Sequence, residues 1–451
     1  MTVKILPFDR SVMTFSDGNK KISLVSLAIP LFLQRIFDTL CSTINILLLT
    51  GYSETAVSAS SVANQIVSMN TTILLMITTG MVVLTSIELG AKNPREAGAF
   101  TGTGAIASVI LGIFLAAVNF IFAEPFMIAM NLSGTTLEMA CQYLKMRALF
   151  LPISGLLVFF NHALICNGFS KYTFITGALT NVFNLLFSYI ALYSGMQFMT
   201  PISRVGIAFG LAQLCGLLFA VKMFKRTGCP WSFGFSGRKA GKIFKIGVPG
   251  TMALIVFCIA QTVTTGFVAA MGDDVINTKA YINNIVAYVP LAGYALANAN
   301  QVFLGRFRGA GELEKSNVSH KQNCLLAVSF NILLSAAALI LHRPLLMMFT
   351  TNPNIINAAG TIFFIDLFVQ IFRAVNNVSE GSLCANGDTR ITLVASTISC
   401  LLGSLALAYL LCVVLGWGLV GLWIAFAADE ATKAIIYLFR WRSGKWRTIK
   451  I

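Results

Sequence analysis

The sequence predicts an all-α integral membrane protein with twelve transmembrane helices in two pseudo-symmetric six-helix bundles. Three observations carry that prediction. Of the 451 residues, 57% are hydrophobic and only 11% charged, too few polar groups to wet a soluble surface. The apolar runs are continuous and about 20 residues or longer, the length a helix needs to cross the hydrocarbon core, whereas barrel strands would be short and alternate with polar residues. Finally, the same punctuation returns 219 residues later: Pro30 answers Pro249, Asn64 answers Asn283, Gly90-Ala91 answers Gly309-Ala310, and Asn167-Gly168 answers Asn386-Gly387. Four landmarks at one offset mark a duplicated unit, which is a sign of many alternating-access carriers.

Taken in order, the spans fall at about 24–49, 56–88, 97–123, 139–166, 172–195 and 202–225, then 243–270, 275–305, 318–342, 357–385, 391–414 and 418–439. The second and eighth exceed what a bilayer requires, which predicts tilt or a helical extension beyond it. Between the halves, "RTGCPWSFGFSGRKAGK" over 226–242 has the Gly, Pro and charge content of an exposed connection. It divides an N-terminal lobe, 1–225, from a C-terminal lobe, 243–451.

Net charge is +15, which in a soluble protein would raise nucleic-acid binding; here the positions matter more than the sum. Twenty-four Lys and Arg, among them Lys20, Lys92, Lys171, Arg226, Lys315, Arg390 and Arg440, fall on alternate loops, against four (Lys145, Arg204, Lys279, Arg343) on the opposite side. The positive-inside rule places both termini in the cytoplasm of a multi-pass plasma-membrane protein. Lipid head groups, not nucleic acid, are the expected partner of those charges. The first 20 residues are polar and mixed, so no cleavable signal is expected. Ten scattered cysteines without C-x-x-C point to packing and not to disulfides or metal. Trp441 and Trp446 are expected as interfacial anchors.

A charged side chain at the centre of a spanning helix costs about 2.5–3.5 kcal/mol, so each one needs a partner or a wet cavity. Those present cluster. In the tenth span Asp366, Gln370, Arg373, Asn377 and Glu380 follow at i, i+4, i+7, i+11 and i+14, which puts them on one stripe. The first span has a similar stripe in Gln34, Asp38, Ser42 and Asn45, with Arg35 beside it. Lipid cannot be what these stripes face. The functional reading makes them walls of a substrate path, with Asp38, Glu380 and Asp366 as candidate coupling carboxylates. The structural reading pairs Arg35 with Asp38, and Arg373 with Asp366 or Glu380, only to hold helices together. Asn64 with Gln65, and Asn283 with Asn284, recur at the repeat offset and either line the cavity or bond between helices, as do Gln261 and Asn181. His162 reads as a hydrogen-bonded packing residue, Asp429 and Glu430 as a local ion pair with Lys433, and Glu88 as a helix-end carboxylate within reach of water.

On these residues the chain resembles the multidrug and toxic compound extrusion (MATE) transporters, within the multidrug/oligosaccharidyl-lipid/polysaccharide flippase superfamily. The resemblance rests on the Pro early in the first span of each half, on "LGAKNPREA" and "RGAGELEK" after the second, on "CANGDTR" after the tenth, and on "GYSETAVSA". It implies two bundles in a V with a central cavity open to one side at a time. It also implies a monomer that exports organic, often cationic small molecules in exchange for protons or sodium, with no other cofactor. The family's acidic positions are not all kept. Fifteen residues past Pro30 stands Asn45, with Asp38 two turns (about 10.5 Å) earlier on the same face. Phe257 and Arg373 occupy the acidic positions of the sodium-coupled branch, and Asn184 or Ser188 the fifth-span one, which makes Asn184 a further cavity candidate.

Three rivals remain. A flippase for an anionic lipid-linked oligosaccharide or related precursor would use Arg35, Arg147 and Arg373 on a pyrophosphate. An intramembrane enzyme lacks support, since neither H-E-x-x-H nor G-x-S-x-G occurs. A channel would conduct without countertransport, and the duplicated halves argue against it. No G-x-x-x-x-G-K-[ST] loop is present to bind ATP.

Overall fold

The computed structural model describes residues 9–17, 20–50, 53–130, 132–193, 199–350 and 353–449. They form two compact units: residues Ile29–Thr251, and Met1–Ala28 together with Met252–Ile451.

The first unit takes most of α1 (Leu24–Thr50) and then α2 (Glu54–Gly90), α3 (Pro94–Ile121), the short α4 (Ala123–Ala129), α5 (Gly134–Leu149), α6 (Leu151–Cys166), α7 (Ser170–Tyr193), α8 (Pro201–Arg226) and the start of α9 (Gly237–Ala269). Caps set several starts. Ser53 receives the Ala56 amide at α2, and Asn93 receives the Glu96 amide at α3, where Pro94 supplies a ready φ at the first turn.

The second unit holds the rest of α9, then α10 (Asp273–Val286), α11 (Leu291–Gly309), α12 (Leu313–Ile340), the short α13 (His342–Met347), α14 (Pro353–Ala385), α15 (Thr389–Ser399) and α16 (Gly418–Arg442). Wider π-helical turns, Cys400–Leu407 and Tyr409–Val414, extend α15 into one rod. An antiparallel pair, β1 (Thr14–Asp17) and β2 (Lys20–Ser23), joins this unit, with the Phe15 ring 4.7 Å from that of Phe303 on α11.

The 219-residue register extends to helix ends. The starts of α2, α3, α4, α5 and α7 reappear in α10, α12, α13, α14 and α15, and the ends of α2 and α6 reappear in α11 and α14. Lys92 and Gly311, at matching places after α2 and α11, both sit at positive φ, as do Gly168 and Gly387.

Where the copies differ, unshared prolines are the cause. α14 is continuous, but its first-half counterpart is broken between α5 and α6 with a bend of 53°. Pro152 has no amide for the Ala148 carbonyl, and its ring crowds that turn. Conversely α2 is continuous, but its second-half counterpart breaks between α10 and α11, where Pro290 cannot donate to the Val286 carbonyl, which takes the Val289 amide at 3.1 Å instead. Residues 71 and 371, which match these prolines, are Thr71 and Ile371. The eighth span, expected as one helix over 275–305, is therefore two.

Among the described residues nine helices are long and apolar enough to span a membrane, and the bent α5–α6 pair makes ten. The other two expected spans are the broken α10–α11 and α16, which carries Asp429, Glu430 and Lys433.

Small residues permit close helix approach. A Cβ on Gly247 of α9 would lie 1.8 Å from the Met76 carbonyl oxygen of α2, and one on Gly80 of α2 would lie 2.1 Å from that of Ile243. The two backbones touch with no room between them. Gly247→Val is expected to cost about 1–3 kcal/mol through overpacking, read as a lower thermal unfolding midpoint in detergent. An unchanged midpoint would mean that α9 can back away from α2.

The 226–242 connection is not free of the first unit. The Ser232 amide donates to the Gly98 carbonyl (3.1 Å), and the Trp231 ring stacks on Phe160 with centroids 5.9 Å apart. Phe233 stays 85% exposed. Trp441 and Trp446 depart from expectation. Gly444, at φ 68, turns the chain back, so the two indoles stack at 4.2 Å and both are buried, with His320 on the other face of Trp441. They are packing residues, not interfacial anchors. Among the described residues no disulfide joins two cysteines.

Candidate functional site

A cavity of about 590 Å³ opens inside the first unit among α1, α2, α5, α7 and α8. Helical periodicity brings its wall together. Asp38, Ser42 and Asn45 share one face of α1; Asn181, Asn184 and Ser188 share one face of α7; and Ser60, Ser61, Asn64, Ser68, Thr71 and Thr72 come from α2. The Asn181 amide donates to Asp38 Oδ1 at 2.7 Å, and the Asn45 amide donates to Asn184 Oδ1. The polar edge of α1 is thereby joined to that of α7 at two levels. Below these, Gln34 packs on Gly177 of α7, where an added Cβ would come within 3.0 Å of its amide.

The opposite wall is built around Arg147, which sits in the last turn of α5 just before the proline break. Its Nη1 donates to the Tyr143 hydroxyl at 2.8 Å and to Asn64 Oδ1 at 3.4 Å, and the Tyr143 hydroxyl donates to the same Oδ1 at 3.3 Å. Its Cζ lies 3.3 Å from the centroid of the Phe209 ring. Arg147 is 9% exposed, which leaves its charge inside the protein but on the cavity wall.

The chamber thus carries one carboxylate and one guanidinium, each with neutral partners, amid amides and hydroxyls, with Leu49, Val57, Val67 and Val205 as apolar wall. Its volume is within the range of small-molecule sites, about 300–1,000 Å³.

Asp38, Asn45, Asn64, Asn181 and Asn184 are therefore gathered in one place. Arg35 and Gln65 are exposed and outside this lining, Gln261 is half-buried on α9, and Asn283 and Asn284 are exposed on α10. His162 Nδ1 bonds the Val158 carbonyl at 2.8 Å, and Glu88 accepts from the Asn93 amide at 3.3 Å. Sequence reasoning missed Tyr143, Phe209 and the α2 hydroxyls. Tyr and Phe are common in every span, and Thr71 and Thr72 satisfy themselves on the carbonyls of Val67 and Ser68, so none announces a cavity.

In the second unit the stripe on α14 is bonded mainly to α16. Asp366 receives Trp423 Nε1 at 3.2 Å and the Gln370 amide at 3.2 Å. Arg373 Nε donates to Glu430 Oε1 at 3.0 Å, and the Asn376 amide donates to Glu430 Oε2 at 2.7 Å and to its backbone carbonyl at 2.8 Å. Arg373 thus pairs with Glu430 and not with Asp366 or Glu380. Lys433 pairs with Asp429 at 2.9 Å, as a one-turn spacing allows, while Glu430 belongs to Arg373. Asp429 also receives the hydroxyls of Ser399 and Ser404. Asn377 and Glu380 complete the stripe, half-buried. Of the arginines proposed for a pyrophosphate, Arg373 is neutralised by Glu430, Arg35 is exposed outside the chamber lining, and Arg147 lines it. At the repeat offset Arg147 corresponds to Asp366, so one address carries opposite charges in the two copies.

The comparisons with known proteins agree with the duplication. The family model MatE matches twice, over residues 30–190 and 249–410, with starts 219 residues apart. An "Uncharacterized transporter YisQ" of Bacillus subtilis is 27% identical over 443 residues, covering 97% of both chains. A "Probable multidrug resistance protein NorM" of Thermotoga maritima is 22% identical over 431 residues, covering 94% of this chain and 92% of that one. The fold matches, with a TM-score of 0.85 and 17% identity over 94% of this chain and 96% of the other, a structure described as the outward-facing conformation of a multidrug resistance MATE family transporter of the MOP superfamily. With both halves matched by one model and the helical fold shared end to end, the chain belongs to the MatE family of multi-pass membrane transporters.

Proposed function

We propose that the protein is a secondary active antiporter that exports organic, drug-like or cationic compounds across the plasma membrane by alternating access, in exchange for protons. The observation that carries this reading is the chamber with Asp38 on its wall. A carboxylate held by a neutral amide, and not by a cation, is free to exchange a proton for a positively charged cargo group, which is how ion binding and cargo binding are made to depend on one another. Sodium is the second candidate ion, with Glu380 and Asp366 the alternative carboxylates. Relatives described as multidrug resistance proteins support the cargo class.

Purified protein in proteoliposomes, given a proton or a sodium gradient and a panel of organic dyes, tests the proposal. Dye movement is expected to follow the proton gradient and to stop with a protonophore. Movement that ignores both gradients would remove antiport from the account.

A further inference from the structure

We infer that Arg147 is an oxyanion subsite, so that the cargo of the chamber bears a carboxylate or phosphate group and, with Asp38 on the opposite wall, is best matched by a zwitterionic amphiphile. This deepens the proposed function and rests on its reading of the chamber as the cargo site.

Only one edge of the guanidinium is used. Nη1 is bonded to Tyr143 and Asn64, both neutral, and Phe209 covers one face. Among the described residues no hydrogen bond or ion pair engages Nε or Nη2. Two cations of the second unit are treated differently, since Arg373 has Glu430 at 3.0 Å and Lys433 has Asp429 at 2.9 Å. A guanidinium nine-tenths buried without a carboxylate is costly, and an arrangement that leaves one edge of it on a cavity wall recovers that cost when an anion arrives. The planar fork suits a two-oxygen group bidentately. An inorganic ion would leave most of the roughly 590 Å³ unfilled and the valines and Leu49 of the wall uncovered, which points to the oxyanion of a larger organic molecule. Asp38 is not in ion-pair contact with Arg147, so both charges remain available, one for each end of such a molecule.

The test is equilibrium binding, by fluorescence anisotropy, of rhodamine B, which has a free carboxylate, and of its ethyl ester, to the protein in lipid nanodiscs. The acid is expected to bind about tenfold tighter than the ester, equivalent to about 1.4 kcal/mol. Arg147→Gln is expected to abolish that preference and Arg147→Lys to keep part of it. Equal affinities in the wild type, or a preference that survives Arg147→Gln, would overturn the inference. Ser61→Trp separates the two levels of the argument. If it blocks both dyes while Arg147→Gln leaves the preference intact, only the anion subsite fails; if both dyes bind Ser61→Trp as before, the chamber is not the cargo site and the proposed function loses its ground as well. Should Arg147→Gln not fold, phenylglyoxal labelling of the wild type, read by mass spectrometry, is decisive. Protection of Arg147 by the acid and not by the ester supports the subsite, and equal labelling with both refutes it.

Discussion

Glu430→Ala is expected to destabilise the second unit by about 3–5 kcal/mol, the cost of stranding a buried charge when its partner is removed. The charge left behind is Arg373, whose Nε donates to Glu430 at 3.0 Å, and Asn376 loses its 2.7 Å acceptor at the same time. Asn376 keeps its bond to the backbone carbonyl of residue 430, so the effect falls mainly on the arginine. The double replacement Arg373→Met with Glu430→Leu is expected to recover most of the loss, because it removes both charges and refills the volume with apolar atoms. Unfolding midpoints of the wild type, the single and the double variant decide the matter. A single variant within about 1 kcal/mol of the wild type would mean that water reaches Arg373 and that the pair does not hold α14 to α16.

Asp38→Asn is expected to uncouple transport from the proton gradient. For one-to-one exchange, a step of one pH unit supplies about 1.4 kcal/mol, enough for about tenfold cargo accumulation in proteoliposomes. Asparagine keeps the size of the side chain and a hydrogen-bonding oxygen toward Asn181 but cannot titrate. The accumulation ratio is therefore expected to fall to about one, while rhodamine B binds more weakly, held by Arg147 alone. Glu380→Gln serves as the contrasting variant and is expected to keep the gradient. The reverse pattern, with coupling lost at residue 380 and kept at residue 38, would move the ion site to α14.

Much of this was legible in the residues. Long apolar runs state their helices plainly, and landmarks such as Pro30 and Pro249 state the repeat, because both are one-dimensional signals. The breaks were not: Pro152 and Pro290 lie in apolar stretches whose hydropathy does not register a missing amide. In the site, Asp38, Asn64 and Asn181 stood out because amides and carboxylates are expensive in a bilayer. Arg147 was noticed as a cation, but its half-used edge depends on Tyr143, Asn64 and Phe209, which come from α5, α2 and α8. The stripe on α14 was seen correctly as polar, while its partner Glu430 is 57 residues further on and was read as belonging to its neighbour Lys433. The role of Trp446 turned on the single positive φ at Gly444.

The opposite charges at residues 147 and 366 mean that duplication did not yield two interchangeable recesses. Asp366 is tied off by an indole and an amide, like a finished seam, whereas Arg147 keeps a loose thread on the cavity wall. The symmetry of the scaffold is not matched in its polarity, so a change at this one address breaks a fastening in one copy and alters the wall of a chamber in the other.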